Sequence, residues 1–156
     1  MKRHLQLQPL SRQHHNGLLM ALLITKGLKK KASLSVMNDF ISNGWNEELK
    51  EHFEMEESVL LPVLQQKSFD SLLTDQLISE HRQIRLLVEK AFINKATQVD
   101  LESFASLLEK HIRFEEKIFF PKAEEVLTEE ELLEIGSQLH EDRSKNCINY
   151  PIKFWE

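Results

Sequence analysis

Two stretches of the sequence repeat one pattern, and this pattern predicts the helical architecture of the chain. The first is His52-Phe53-Glu54-Met55-Glu56-Glu57-Ser58-Val59-Leu60-Leu61-Pro62, and the second is His111-Ile112-Arg113-Phe114-Glu115-Glu116-Lys117-Ile118-Phe119-Phe120-Pro121. Both read His-x-x-x-Glu-Glu and then place two large apolar residues directly before a proline. A weaker match links residues 10–14 with residues 77–81, since each segment has a leucine four residues before a histidine. The repeats predict two helical pairs that bring the same chemistry.

The spacing within the repeat gives histidine and glutamate a shared helical face. Residues at i and i+4 of an α-helix lie about one turn apart on the same side. His52 with Glu56, and His111 with Glu115, would each form half of a metal site among apolar neighbours. Burying a glutamate without a partner is costly, and a metal ion removes that cost. One such pair is usually an ordinary solvated pair, but two copies on alternate helices favour metal binding.

Five segments carry the hydrophobic period of an α-helix. Helices are predicted at about 9–30, 33–65, 69–92, from Asp100 to near Pro121, and 128–145. Ser33 and Asp100 are the expected N-caps of the second and fourth helices, and Thr128 with Glu131 forms a capping box for the fifth. Asn43-Gly44 could break the second helix, and residues 147–156 have no usable period.

Short connections between four long helices predict an all-α, up-down-up-down four-helix bundle with a short fifth C-terminal helix. We expect a single domain over residues 1–156. The bundle would occupy about 9–122, and the C-terminal helix and tail would occupy about 128–156.

Composition excludes several classes of protein. With 41% apolar and 29% charged residues and only four glycines, the 156-residue chain is globular and favours helix. Its net charge of −5 offers no basic field, so neither nucleic acid nor a membrane surface is an expected partner. No apolar stretch approaches the roughly 20 residues that span a bilayer. Cys147 is the single cysteine, which indicates a reducing, cytoplasmic setting.

These residues resemble the hemerythrin-like (HHE cation-binding) family, whose members are four-helix bundles with a di-iron site of histidines and carboxylates. The resemblance covers about residues 9–122. In this family the first helix supplies one histidine, the second His-x-x-x-Glu, the third His-x-x-x-His, and the fourth a histidine followed by a carboxylate four or five residues on. Carried over by motif, the resemblance implies the metal ligands His14, His52, Glu56, His81, His111 and Glu115.

One position departs from the family pattern. Arg85 stands where the family has its second histidine of the third helix, and an arginine cannot be deprotonated to act as a ligand. The missing ligand could come from His15, from His140, from solvent or from Glu57. Otherwise Arg85 points inward to pair with a bridging glutamate, or it lies on a solvated rim.

Two further choices concern neighbouring residues. Residues next to each other on a helix point about 100° apart, so only one of His14 and His15 can point into the bundle. The leucine match with the third helix favours His14. The i+4 spacing favours Glu115, although animal oxygen carriers use the i+5 position that Glu116 occupies. The remaining histidines, expected at the surface or at a helix cap, are His4 and His140.

The resemblance implies two iron ions joined by an oxo or hydroxo bridge. Zinc and manganese accept the same donors, so iron comes from the resemblance alone. Two six-coordinate ions offer about twelve positions, of which the ligands fill about ten. The open positions would bind dioxygen, nitric oxide or peroxide. The expected walls of the ligand pocket are Phe53, Phe114, Ile84 and Met20.

The leading expectation is a metal-binding protein that binds dioxygen or a related diatomic molecule for sensing, storage or stress protection, rather than an enzyme. One alternative is an iron-donating repair factor for damaged iron clusters. Another is a metal-free helical interaction module, for which Arg85 is the only positive hint.

Overall fold

A computed structural model describes residues 2–139 and 147–156, and no strand occurs among these residues. The all-helical prediction is confirmed. The five helices are α1 (Gln8–Lys29), α2 (34–65), α3 (Ser71–Phe92), α4 (98–126) and α5 (Glu129–Gln138). Short 3₁₀ turns cover Leu5–Leu7 and Cys147–Asn149. Helix α1 packs along α4, and α2 packs along α3, which gives a helical bundle.

Two predicted helix starts are confirmed. The Ser33 hydroxyl accepts a hydrogen bond from the backbone N–H of Val36 at the start of α2. Thr128 and Glu131 form the expected capping box of α5, in which each side chain accepts from the other residue's backbone N–H. Each cap satisfies a backbone N–H that has no partner inside the helix.

The predicted cap of the fourth helix is wrong. Thr97 is the N-cap of α4, and Asp100 is the third helical residue, which completes a capping box with Thr97. The acidic side chain therefore acts from inside the first turn rather than ahead of it. The fifth helix is also shorter than predicted, because it ends at Gln138 and Leu139 is extended. Its expected end near Lys145 lies outside the described residues.

Helix α2 continues through Asn43-Gly44 without a break. Gly44 has helical backbone angles, and a Cβ there would lie 2.5 Å from the terminal methyl carbon of Met20. This glycine therefore allows α1 to approach α2 closely instead of ending the helix. A π-helical turn, Trp45–Leu49, follows directly.

The apolar core forms two clusters that divide the bundle along its length. One contains Met20, Phe40, Phe53 and Leu108, and the other contains Leu10, Leu60, Leu77 and Phe119. On each of the four long helices, the histidine of the predicted site lies between residues of the two clusters. A polar layer therefore separates two apolar ones.

The C-terminal segment covers one end of the first cluster. Tyr150, Phe154 and Trp155 are buried, and all three rings contact Phe40. At the other terminus His4 accepts from the backbone N–H of Gln6, which confirms a capping role. His140 lies outside the described residues. Over the described ranges, every helix is too short or too polar to cross a membrane.

Candidate metal centre

Six buried side chains from the four long helices meet in the polar layer. They form two groups of four, and within each group the possible ligand atoms all lie within 4.8 Å of one another. Both groups contain Glu56 and Glu115, so the two carboxylates are shared. Each group adds two histidines of its own. The first group is His14, His52, Glu56 and Glu115. The second group is His81, His111, Glu56 and Glu115.

Burial and missing partners make this cluster suited to a cation. The six residues expose at most 4% of their surface. Among the described residues, four of their atoms have no hydrogen-bond partner. These atoms are His52 Nε2, Glu56 Oε2, His111 Nε2 and Glu115 Oε2. Buried polar atoms normally have partners, and unpaired ones are costly. A divalent metal ion binds the lone pairs of imidazole nitrogens and carboxylate oxygens that converge on it. These residues therefore fit a metal centre.

The two shared carboxylates perturb each other strongly in the metal-free protein. Burial and the charge of Glu115 raise the pKa of Glu56 well above its usual range. Burial opposes ionisation of Glu115 too, but the positive charge of the nearby His111 holds its pKa well below its usual range. Two carboxyl groups this close to each other cannot both ionise without a large cost, and a metal cation bound between them would remove that cost.

Two of the histidines show opposite shifts. Burial lowers the pKa of His52 to about 4, so this ring is neutral at pH 7. Burial also opposes the charged form of His111, but the nearby Glu115 carboxylate outweighs it and raises the pKa to about 9. Neutral imidazole is the form that binds metal, and metal binding at His111 would therefore release a proton.

A hydrogen bond at Nδ1 fixes the orientation of each of the four histidine rings. Each Nδ1 lies within 3.1 Å of a side-chain oxygen, which leaves Nε2 directed into the cluster. The pairs are His14 with Glu116 at 3.1 Å, His52 with Gln13 at 2.6 Å, His81 with Glu57 at 2.6 Å and His111 with Glu80 at 2.7 Å. Such partners fix the ring and its tautomer and are typical of metal-binding histidines. The sequence analysis did not predict Gln13 or Glu80 in this role.

A π-helical turn begins at each shared glutamate. The turns are Glu56–Leu60 in α2 and Glu115–Phe119 in α4. Isolated π turns inside α-helices are frequent at functional sites. In both copies the proline follows two residues after the turn, at Pro62 and Pro121. A proline cannot donate to the carbonyl four residues earlier and clashes with it, and the wider turn relieves that clash. The repeated proline was the available signal for this feature.

The structure separates the two pairs of neighbouring candidates. His14 is buried and belongs to a donor group, whereas His15 is exposed. Glu115 belongs to both groups, while Glu116 accepts hydrogen bonds from Ser11 and from Nδ1 of His14. Neighbours on a helix point in different directions, so only one of each pair reaches the cluster.

Arg85 does not pair with a shared glutamate; its side chain is 34% exposed and pairs with Glu57 at the edge of the cluster. Its guanidinium donates to both oxygens of Glu57, at 2.7 and 3.0 Å, and lies 5.6 Å from the centre of the Phe53 ring. The same Glu57 oxygen that binds Arg85 at 2.7 Å accepts from His81 Nδ1. Arg85 therefore fixes the carboxylate that orients His81. Glu57 lies outside both donor groups.

A cavity of about 30 Å³ adjoins the cluster between α1, α2 and α4. His52, His111 and Glu115 form part of its wall. The prediction for the pocket walls is correct only for Phe53. Met20, Ile84 and Phe114 pack elsewhere in the core, and the apolar wall is built instead by Gly17, Leu49, Leu108 and Ile112.

A comparison with protein-family models gives a match that includes this cluster and the helices around it. The hemerythrin HHE cation binding domain matches residues 8–123, a range that starts at α1, ends within α4 and contains all six donors. No curated protein and no solved structure matches the chain. Because the matched range covers most of the sequence and every helix that contributes a donor, the chain belongs to the hemerythrin HHE cation-binding domain family.

Proposed function

We propose that the chain binds two iron ions and uses them to bind dioxygen or a related diatomic molecule for sensing, storage or stress protection. The ligands would be His14, His52, Glu56, His81, His111 and Glu115. The observation that carries the proposal is the sharing of Glu56 and Glu115 between both donor groups. Shared carboxylates in a bundle core are typical of sites that hold two neighbouring ions.

Iron is proposed on family membership, since zinc and manganese accept the same donors. An iron pair that keeps open coordination positions supplies electrons to a small ligand and can take them back. Four imidazoles and two shared carboxylates leave such positions on six-coordinate ions.

The cavity supports a ligand of very few atoms. A water-sized occupant needs roughly 10–15 Å³, and the cavity offers about 30 Å³. A diatomic molecule fits this space, whereas a larger organic substrate does not. Leu49, Leu108 and Ile112 give part of its wall an apolar surface, which suits an uncharged ligand of this size. This selection by size and polarity supports a binding or sensing role.

The finer description of the chain rests on the same reasoning. We propose a single domain with the four long helices running up-down-up-down, because the connections between them are short. The free Cys147 agrees with a reducing, cytosolic setting.

Metal analysis tests the proposal directly. Protein purified without added metal and then loaded with ferrous iron under argon should contain two ions per chain. Its optical spectrum should change on exposure to air or nitric oxide and return on reduction. His15→Ala is the matched control, because this exposed histidine neighbours His14 and should leave the metal content unchanged. A chain that retains no iron, or iron without any spectral response to either gas, would contradict the proposed function.

A further inference from the structure

The two proposed metal positions have the same donors but different surroundings. The His14–His52 position and the His81–His111 position each combine two histidines with Glu56 and Glu115. The groups that hold the histidine rings are one source of a difference in metal affinity between them. The inference below rests on the proposed pair of metal ions.

One histidine of each position donates to a carboxylate. His81 donates through Nδ1 to Glu57, which Arg85 holds. His14 donates through Nδ1 to Glu116, and Arg3 lies beside this residue and donates to its backbone oxygen at 2.7 Å. Arg85 binds the Glu57 carboxylate itself, whereas Arg3 binds the backbone of Glu116, and the two ring contacts measure 2.6 and 3.1 Å. Both rings nevertheless have an anionic acceptor, so the contrast between a charged and a neutral acceptor lies at the other two rings.

The other histidine of each position differs in one respect. His111 Nδ1 donates to the Glu80 carboxylate at 2.7 Å, whereas His52 Nδ1 donates to the Gln13 amide oxygen at 2.6 Å. The distances match, but one acceptor is an anion and the other is neutral. An anionic acceptor makes the imidazole a stronger donor to a cation and adds a negative charge near the metal.

We propose that the His81–His111 position binds its metal ion first and more tightly. The negative charge of Glu80, compared with the neutral Gln13 at the other position, sets this order. Glu80 is well placed to act, since its side chain is 16% exposed and its second oxygen accepts from Gln76 at 3.0 Å. Partners of this kind typically change metal affinity by about 10- to 100-fold. Metal uptake should therefore occur in two resolved steps.

The experiment is a calorimetric titration of the metal-free protein with Co²⁺, which binds similar donors and gives an optical spectrum that reports coordination. Glutamine and glutamate have nearly the same shape, so the exchanges Glu80→Gln and Gln13→Glu change charge with little change in packing. Glu80→Gln should weaken the first step by about 10-fold or more. Gln13→Glu should strengthen the second step by a similar factor.

Single-ligand variants assign each step to a position. His52→Ala should keep the tight step and lose the weak one, whereas His111→Ala should lose the tight step. The double variant Gln13→Glu with Glu80→Gln should reverse this assignment. Far-ultraviolet circular dichroism of each metal-free variant checks that it is folded.

The outcomes separate this inference from the proposed function. Two ions that bind with equal affinity, or an order that both charge exchanges leave unchanged, would overturn the inference while leaving the two-ion site intact. Failure to bind any Co²⁺ or iron would overturn both. Resolved steps that respond in opposite directions to the two exchanges would support the proposed order.

Discussion

Metal-free protein should lose stability as the pH rises from 6.5 to 9. The reason is His111, whose pKa rises from 6.5 to about 9 because the Glu115 carboxylate outweighs the effect of burial. Between these values the folded protein keeps a proton that the unfolded chain has released. The free energy of unfolding therefore falls with increasing pH across this window.

The size of the loss follows from the shift. One pKa unit corresponds to about 1.4 kcal/mol, and the shift at His111 from 6.5 to about 9 covers roughly two and a half units. The expected loss is thus about 3 kcal/mol, or roughly 10 °C in melting temperature for a domain of this size. The pKa of His14 is raised too and changes stability in the same direction.

Urea unfolding of chelator-treated protein at several pH values between 6.5 and 9 measures this loss. His111→Gln should remove its own share of the pH dependence, about 3 kcal/mol, while His15→Gln, a change at an exposed histidine, should keep it. Metal-loaded protein should show little dependence, because the metal replaces the proton on Nε2. A flat profile for the metal-free protein, or the same slope with and without metal, would refute the reasoning.

Four further perturbations follow from the same structure. Glu56→Ala combined with Glu115→Ala should abolish binding of both ions, since each carboxylate belongs to both donor groups; metal analysis that still finds two ions per chain would contradict this. Metal loading should raise the melting temperature by about 10 °C in calorimetry, because a ligand at a thousandfold excess over its Kd adds about 4 kcal/mol. Gly17→Ala places a methyl group 2.7 Å from Cδ1 of Ile112 beside the cavity, so stopped-flow mixing should show slower gas binding at unchanged metal content. Arg85→Ala should cost about 1 kcal/mol in urea unfolding, and a cost well above this would show that the partly exposed pair with Glu57 does more than ordinary surface pairs do.

The sequence predicted the parts of the molecule that depend on local spacing. The i+4 relation between His52 and Glu56 follows from helix geometry. The leucine four residues before His14, matched in the third helix, favoured His14 over its exposed neighbour. The all-helical fold followed from hydrophobic periods, and a capping box correctly located the start of α5. These features need only a few turns of one helix. They can be predicted without knowing how the helices pack.

Features that depend on contacts between helices escaped prediction. Gln13 and Glu80 hold histidines 39 and 31 residues away in the sequence, and no local pattern marks either residue. The cavity wall was also mispredicted, since an apolar residue at helical spacing can face any part of the core. Thr97 was missed for a different reason. Both Thr97 and Asp100 are good capping residues, and the capping box uses them together.

Arg85 shows why a site can differ from its family pattern without leaving a buried gap. Residue 85 lies one turn after His81, yet its long side chain extends past the donor groups to Glu57 and packs over Phe53. Phe53 in turn stacks on His81, with ring centres 3.8 Å apart. The residue that replaces a ligand thus holds a neighbouring ligand from two directions, through the Glu57 carboxylate and through the Phe53 ring. Each donor group still contains two histidines and two carboxylates, so the two positions stay equivalent in their direct donors. The groups behind the histidines differ, because His111 donates to the charged Glu80 and His52 donates to the neutral Gln13.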